Sequence, residues 1–329
     1  MPDLIVLGEL LVEVMREKVG VPHTSVGKVY RAPFPSGAPA IFASSAARMG
    51  KNGKPTVGYI GVVGDDDFGK VIIKKLRKDG VDISQIRKSE KHTGAAFVQY
   101  NEDGSRKFIF MEGAAGETSP EDVKKEYFKD VKAIHIMGSA LSISERSRDA
   151  TYKMIEVAKE ANKQVEISFD PNIRPEMLGI EKTLKILEPV MENATIILPS
   201  GEEAEMLANM IGKGKEKACK EIFKRAPNCK LVLLKNGAEG VKIFQKIKKG
   251  KNTEINTSEI SSYSVKEVDA TGAGDSFGGA FISEYLNGEE VQKAVQFANA
   301  VGAMKVTHFG PMPDHSREAI LKFMEKNKN

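Results

Sequence analysis

A glycine-rich stretch late in the chain, Asp269-Ala-Thr-Gly-Ala-Gly-Asp275-Ser-Phe277, carries the residue types that phosphoryl chemistry needs. Gly272, Ala273 and Gly274 leave backbone N–H groups uncovered by side chains. The run after them, Ser276 to Leu286, has Phe277, Phe281, Ile282 and Tyr285 at helical spacing. This spacing predicts a helix that stops near Asn287-Gly288. Bare N–H groups at a helix N-terminus favour an anion, because the helix dipole is positive there. Asp275 falls in the first turn and would aim a carboxylate at the same place. A carboxylate beside a bound phosphate makes sense if it takes a proton from a hydroxyl that attacks the phosphorus. Acidic first turns are also common dipole partners, so the assignment depends on the rest of the chain.

The elements that would position this stretch read as alternating strands and helices. Apolar runs at Leu4–Leu7, Thr56–Val63, Ala133–Met137, Gln164–Phe169, Thr195–Leu198 and Leu231–Leu234 predict buried strands. Between them, helices are predicted at 37–49, after Gly69 through Leu76 and ending near Gly80, and at Glu145–Ala161, Glu181–Glu192, Gly201–Ile211 and Glu216–Arg225. That order argues for a parallel, doubly wound sheet with helices on both faces. Val241–Lys248 and Thr253–Asn256 read as a hairpin, and helices close the chain at Val291–Val306 and His315–Lys326. Two segments break the rhythm. Lys18–Ser36 holds Pro22, Pro33 and Pro35 without a helical period. Thr93–Met111 has two β-rich runs around Asn101-Glu-Asp-Gly104, a hairpin signal. Residues 18–36 and 93–111 are expected to form a small β lid, and residues 1–17, 37–92 and 112–329 the α/β body.

Composition bounds the rest. The 329 residues are 41% hydrophobic and 29% charged, as in a soluble globular protein. The 49 basic residues nearly match the 45 acidic ones, leaving a net charge of +4, without the basic stripe that nucleic acid requires. The basic run Lys246–Lys251 reads as a solvated hairpin tip. Neither a signal peptide nor a membrane span is expected. Two cysteines, Cys219 and Cys229, fit a reducing cytoplasm. Gly64-Asp-Asp-Asp-Phe-Gly69-Lys70-Val71 has Walker spacing but ends in Val, and its aspartates would repel phosphates. The five scattered histidines support neither a zinc site nor a Ser-His triad.

The ordered set of motifs resembles the PfkB (ribokinase-like) family of carbohydrate kinases over nearly the whole length. Besides the Asp269–Phe277 string, it comprises Ser36-Gly37-Ala-Pro-Ala-Ile41 with Ala47-Arg-Met-Gly50, Gly61-Val-Val-Gly-Asp65, and Ser168-Phe-Asp170-Pro-Asn172-Ile-Arg174. It continues with Ser200-Gly-Glu-Glu203 and Lys235-Asn-Gly237-Ala-Glu-Gly240. The resemblance implies a ribokinase-like fold and transfer of the ATP γ-phosphoryl group to a primary hydroxyl of a small sugar. It also implies roles. Asp275 would be the base, and Gly272, Ala273 and Gly274 the anion hole. Lys235, Gly237, Gly240, Thr271, Gly274 and Asn299 would line the ATP site. Glu203 would act on Mg²⁺ through water. Asp269 would help hold a monovalent cation, K⁺ among the candidates. Glu13, Gly37, Arg106 and Arg174 would face the sugar beside Asp275.

The sequence departs from the family pattern at Ser36 for a glycine, Ile41 for a sugar-binding asparagine, Glu13 for an aspartate and Ser200 for an asparagine. Arg106 and Arg174 near one site would suit an acidic sugar, since guanidinium pairs bidentately with carboxylate. Either could instead meet the γ-phosphate. A keto-sugar acid (2-keto-3-deoxygluconate) and a neutral ketose (tagatose or fructose) therefore stand as equals. The alternatives are a ribokinase, a nucleoside kinase, and a sugar-sensing relative without catalysis. A two-segment lid carrying Val29, Tyr30, Phe97 and Tyr100 would pair with a second copy, giving a homodimer.

Overall fold

The computed structural model describes residues 1–249 and 252–327. Its strands, in chain order, are β1 (Leu4–Leu7), β2 (Leu11–Arg16), β3 (Tyr30–Ser36), β4 (Val57–Gly64), β5 (Val81–Ser89), β6 (Gly94–Tyr100) and β7 (Arg106–Met111). They continue as β8 (Ala133–Met137), β9 (Glu166–Asp170), β10 (Ile196–Ile197), β11 (Leu231–Lys235), β12 (Val241–Lys249) and β13 (Asn252–Ile260). The larger sheet runs β13-β12-β11-β10-β9-β8-β1-β4-β5. It is parallel from β11 through β5, and the β12–β13 hairpin adds antiparallel at one edge.

Alternation along the strands explains the layers. In β1, Leu4 and Val6 pack with the helices Ala38–Arg48, Ala273–Leu286 and Val291–Val306. Ile5 and Leu7 point the other way, toward Glu145–Ala161, Ile180–Asn193 and Lys215–Arg225. Successive side chains take opposite faces, so a strand covered on both sides reads as one apolar run. The chain lays β4 and β5 to one side of β1 and β8 to β13 to the other. Such a reversal opens a crevice at the carboxyl ends of the strands, the usual ligand site of doubly wound sheets.

The second sheet has the order β3-β2-β6-β7. Its pairs β2–β3 and β6–β7 are antiparallel, and β2–β6 is parallel. The sheet includes a strand, Leu11–Arg16, that the sequence reading left in the α/β body. Its six residues are almost wholly buried, so their composition looks like core. Residues 18–29 form no strand. They cover one side of β2, held by the Arg16 guanidinium, which donates to the carbonyls of Lys28, Pro22, His23 and Ser25 at 2.8–3.1 Å.

Other differences have local causes. Strand β5 was not anticipated, because Asp82, Gln85, Arg87 and Lys88 blur its alternation, as charges do on edge strands. The helix expected at Gly201–Ile211 shrinks to Glu203–Leu207, where Gly201, Asn209 and Gly212 adopt positive φ on either side. Asp66 caps the helix Asp67–Lys78 by accepting from the Gly69 N–H at 2.8 Å, which gives the Walker-like loop a structural use. In the basic run, Lys246 turns back to the Pro227 carbonyl at 3.3 Å, and Gly250 and Lys251 lie outside the described residues. No helix among the described residues is long and apolar enough to cross a membrane.

Candidate active site

The glycine-rich stretch forms the tight entry to the helix Ala273–Leu286. Gly272 sits at φ 77°, and a Cβ there would lie 2.9 Å from the Pro311 carbonyl and 3.2 Å from Ile41. Glycine relieves both constraints. Ile41, which replaces the amide that the resemblance implied, thus backs this loop. Of the three N–H groups expected in the anion hole, that of Ala273 is directed to the Ala270 carbonyl at 3.2 Å. Those of Gly272 and Gly274 have no protein acceptor among the described residues. Asp275 follows in the first turn, buried, with the Asn172 amide donating to Oδ1 at 3.5 Å.

Strand ends deliver the charged partners. Lys235, at the end of β11, places Nζ 2.5 Å from Asp170 Oδ2, at the end of β9. Burial alone would push the Lys235 ammonium down, but Asp170, Glu203 and Asp275 outweigh it and keep Lys235 charged. Burial raises the Asp275 carboxyl, opposed by Lys235, Arg174 and Arg106. A base with a raised pKa holds a proton more strongly, which suits proton transfer from a hydroxyl. Arg106, from β7, and Arg174, after the Asp170-Pro-Asn172 turn, flank the Phe108 ring at 5.9 and 5.6 Å.

Two cavities meet at the glycine-rich loop. One, of about 340 Å³, is lined by Glu13, Gly37, Arg106, Arg174 and Asp275, the residues expected to face the sugar. The other, of about 380 Å³, is lined by Gly237, Gly240, Gly274 and Asn299, expected at the nucleotide. Lys235, Gly237, Ala273 and Gly274 border both. Thr271, also expected at the nucleotide, lines only the first cavity. Its Oγ1 accepts from Arg106 at 3.2 Å and meets the Tyr100 hydroxyl at 3.2 Å, so the small sheet is fastened to the loop. Tyr100, expected at a lid-to-lid contact, therefore turns inward. Tyr30 and Phe97 pack edge-to-face at 5.7 Å, while Val29 is exposed. Asn299 spends its amide nitrogen on the carbonyls of Ile260 and Ser261, each at 3.1 Å. It fixes the wall of the second cavity as much as it lines it.

Sequence reasoning did not single out Glu9, Ser139, Asp170 or Asn172 as site residues, and all four line the first cavity. Glu9 gave no signal, since it follows β1 as an ordinary acid would. The Asp170-Pro-Asn172 turn did give one, and Asn172 adopts φ 35°, a left-handed conformation that asparagine tolerates. Glu9 and Glu13 are wholly buried, and burial raises both carboxyls to about 7. The Glu13 partner is the Ser36 hydroxyl, which donates at 2.8 Å. Ser36, in place of a glycine, thus has a use of its own.

No group of three or more His, Cys, Asp or Glu among the described residues could hold a resident ion. Glu203 accepts from the Ser200 N–H and hydroxyl at 2.8 and 2.7 Å and from the Ile173 N–H at 2.9 Å. So engaged, it suits a water-mediated contact with an ion that arrives on phosphates. Asp269 is more fully engaged still. It accepts from the N–H groups of Thr271 and Gly310, each at 2.9 Å, and from Tyr100 at 3.0 Å, and lies 3.4 Å from the buried Lys305 ammonium.

Comparison with known proteins shows the family and the fold. The sequence model of the pfkB family carbohydrate kinases matches residues 1–317. The chain is 32% identical to a probable fructokinase-3 of Arabidopsis thaliana over 94% of this chain and 87% of that protein. It is 31% identical to fructokinase-1 of Oryza sativa subsp. japonica, covering 98% of each. An Escherichia coli protein, provisionally named ribokinase II and solved with ATP and Mg²⁺, superimposes with a TM-score of 0.86. That protein is 37% identical, with 99% of this chain and 100% of that one covered.

Proposed function

This chain belongs to the pfkB family of carbohydrate kinases, has the ribokinase-like fold and is an ATP-dependent phosphotransferase acting on a sugar hydroxyl; from that premise we propose that its acceptor is a neutral ketose such as fructose. One observation carries the choice. In the first cavity Glu13 Oε2 and Asn172 Oδ1 are buried without a hydrogen-bond partner, and Glu9 and Ser139 have only each other. Buried polar atoms need partners, and the hydroxyls of a sugar would supply them. Above about pH 7, where Glu9 and Glu13 lose their protons, the two carboxylates also disfavour an acidic substrate, since like charges brought together out of water repel strongly. The fructokinase names of the plant relatives point the same way.

In this reading the ketose lies in the first cavity with a primary hydroxyl toward Asp275, which accepts its proton. The nucleotide lies in the second cavity, and its γ-phosphoryl group reaches the loop between them. The N–H groups of Gly272 and Gly274 and the Lys235 ammonium take up charge on the transferred group, as positioned donors do in a site closed to water. Glu203 would hold, through water, the Mg²⁺ that accompanies the nucleotide, and that ion would supply neutralisation of phosphate charge. The ATP and Mg²⁺ in the E. coli relative support this part. The small sheet, held to Thr271 by Tyr100 and Arg106, keeps water from competing with the sugar.

The second reading is an acidic keto sugar, favoured by the two guanidinium groups beside Phe108. Arg174→Ala decides between them, with kcat/KM measured on fructose and on 2-keto-3-deoxygluconate. If Arg174 serves the phosphoryl group, both values fall by the same factor. A loss confined to the keto acid assigns Arg174 to a substrate carboxylate and overturns the ketose reading.

A further inference from the structure

The ribokinase-like resemblance implies a monovalent cation at Asp269, and the residues present do not fit one. The place is taken by an ammonium of the chain itself. Lys305, in the last turn of the helix Val291–Val306, is 1% exposed, and Asp269 is 0% exposed at its side chain. Lys305 Nζ donates to the Asp269 carbonyl at 2.6 Å and to the His308 carbonyl at 3.4 Å, and lies 3.4 Å from Asp269 Oδ2. One carboxylate and two carbonyls converge on a single positive centre, and the Lys305 ammonium occupies that centre. An ammonium has about the charge and size of a potassium ion, and it offers three donors.

This pair holds up the glycine-rich loop. The Asp269 N–H bonds to the Val306 carbonyl at 3.0 Å, and its carboxylate fixes Thr271 and Gly310. Through the Tyr100 hydroxyl the same carboxylate fixes the small sheet. The loop begins immediately after, at Ala270, and Gly272 packs under Pro311. Burial pushes the Asp269 carboxyl up, but Lys305 and the Thr271 and Gly310 N–H groups more than offset it, so Asp269 is ionised. Without a cation, an ionised carboxylate and two carbonyls would face one another out of water, an arrangement that a buried site does not tolerate.

We propose that Lys305 is a tethered replacement for the monovalent cation: its ammonium orders the anion-hole loop, and catalysis needs no added potassium. Lys305 is a positioning residue, acting through Asp269 and the loop. The proposal rests on the sugar-kinase reading and is independent of which sugar is used.

The experiment has two arms. In the first, ADP release by the wild type is measured with K⁺, with Na⁺ and with tetramethylammonium, an ion too large for the site. The expected kcat/KM is the same in all three within about twofold. A loss of tenfold or more on removing K⁺ overturns the proposal. In the second, Lys305→Ala opens the site to ions. In tetramethylammonium its kcat should fall by about 10²-fold, the scale of a roughly 1 Å misplacement. Potassium or ammonium should restore at least a tenth of wild-type kcat. The Tm of this variant, without sugar or nucleotide, should rise with KCl, while that of the wild type should not. The Tm readout needs no substrate, so it separates failure of this proposal from failure of the acceptor assignment. A folded Lys305→Ala that keeps full activity in tetramethylammonium, or that no small cation shifts in either readout, contradicts it. If Lys305→Ala does not fold, the wild-type cation series decides alone.

Discussion

The two cavities on either side of the Gly272–Gly274 loop are similar in volume and differ in how many buried charged side chains line them. The first holds Glu9, Glu13, Asp170, Lys235, Arg106, Arg174 and Asp275, most of them deeply buried. The second is walled largely by small and apolar residues, among them Ala238, Val241, Val265, Phe277, Gly302 and Ala303. Buried charges and unpaired polar atoms are costly unless a ligand meets them. In the proposed reading the first cavity therefore meets the sugar hydroxyls one by one. In the same reading the second takes the nucleotide largely by shape, with Gly237, Gly240 and Gly274 along its wall. Recognition by hydrogen bonds discriminates sharply, whereas recognition by shape does so weakly. The account thus expects strict choice of sugar and looser choice of nucleotide.

The largest effect should come where the cavities meet. Asp275→Asn keeps the side chain's shape but cannot accept the hydroxyl proton. Loss of a general base is worth about 10²–10⁴-fold, so kcat should fall by that much, with both KM values little changed. A variant that keeps more than about a tenth of wild-type kcat would remove Asp275 as the base.

A pair of substitutions should separate the cavities. Glu13→Gln alters the carboxyl that meets a sugar hydroxyl, and a hydrogen bond between neutral groups is worth about 0.5–1.5 kcal/mol, or about 2–10-fold in sugar KM. ATP KM should stay within about twofold, since no new contact is made there. Gly302→Val should do the reverse. A Cβ at Gly302 would lie 3.7 Å from the Ala273 carbonyl, so the residue fits while its methyl groups enter the second cavity. Overpacking of this kind costs about 1–3 kcal/mol, and the ATP KM should rise accordingly. If both substitutions move both KM values equally, the division of labour is wrong.

The smallest effect is on stability. Burial raises the Glu9 and Glu13 carboxyls from an ordinary 4.5 to about 7. Between these values the folded chain keeps protons that the unfolded chain releases. Their contribution is thus fully present below pH 4.5 and lost as pH rises through 7. Urea midpoints of the protein without substrate should fall across this window, and less steeply in Glu13→Gln. Parallel curves for the two proteins would show that Glu13 is not held protonated.

How much of this was legible in the sequence follows from the same contrast. Glycines advertise themselves, because Gly37, Gly240 and Gly272 stand at positive φ against a backbone that would collide with a Cβ. The strands β1, β4, β8 and β11 were visible as apolar runs because both faces are covered. Asp275 was visible through its place after the glycines. Glu9 and Lys305 were not, since each depends on partners far along the chain. Lys305 looked like the basic end of a helix, and only folding shows that its ammonium is buried against Asp269. The strand Leu11–Arg16 was hidden for a related reason. It is buried like a core strand, yet it belongs to the small sheet.

The central claim is that the first cavity selects a neutral ketose through the free carboxyl oxygens of Glu9 and Glu13. It is tested most directly by competition, with wild-type protein, limiting ATP, and equal fructose and 2-keto-3-deoxygluconate in one vessel. The phosphorylated products are then resolved by mass. The account expects fructose phosphate in at least about tenfold excess, the scale of one charged hydrogen bond. A product that is mainly the phosphorylated keto acid, or no phosphorylation of fructose at all, would contradict it.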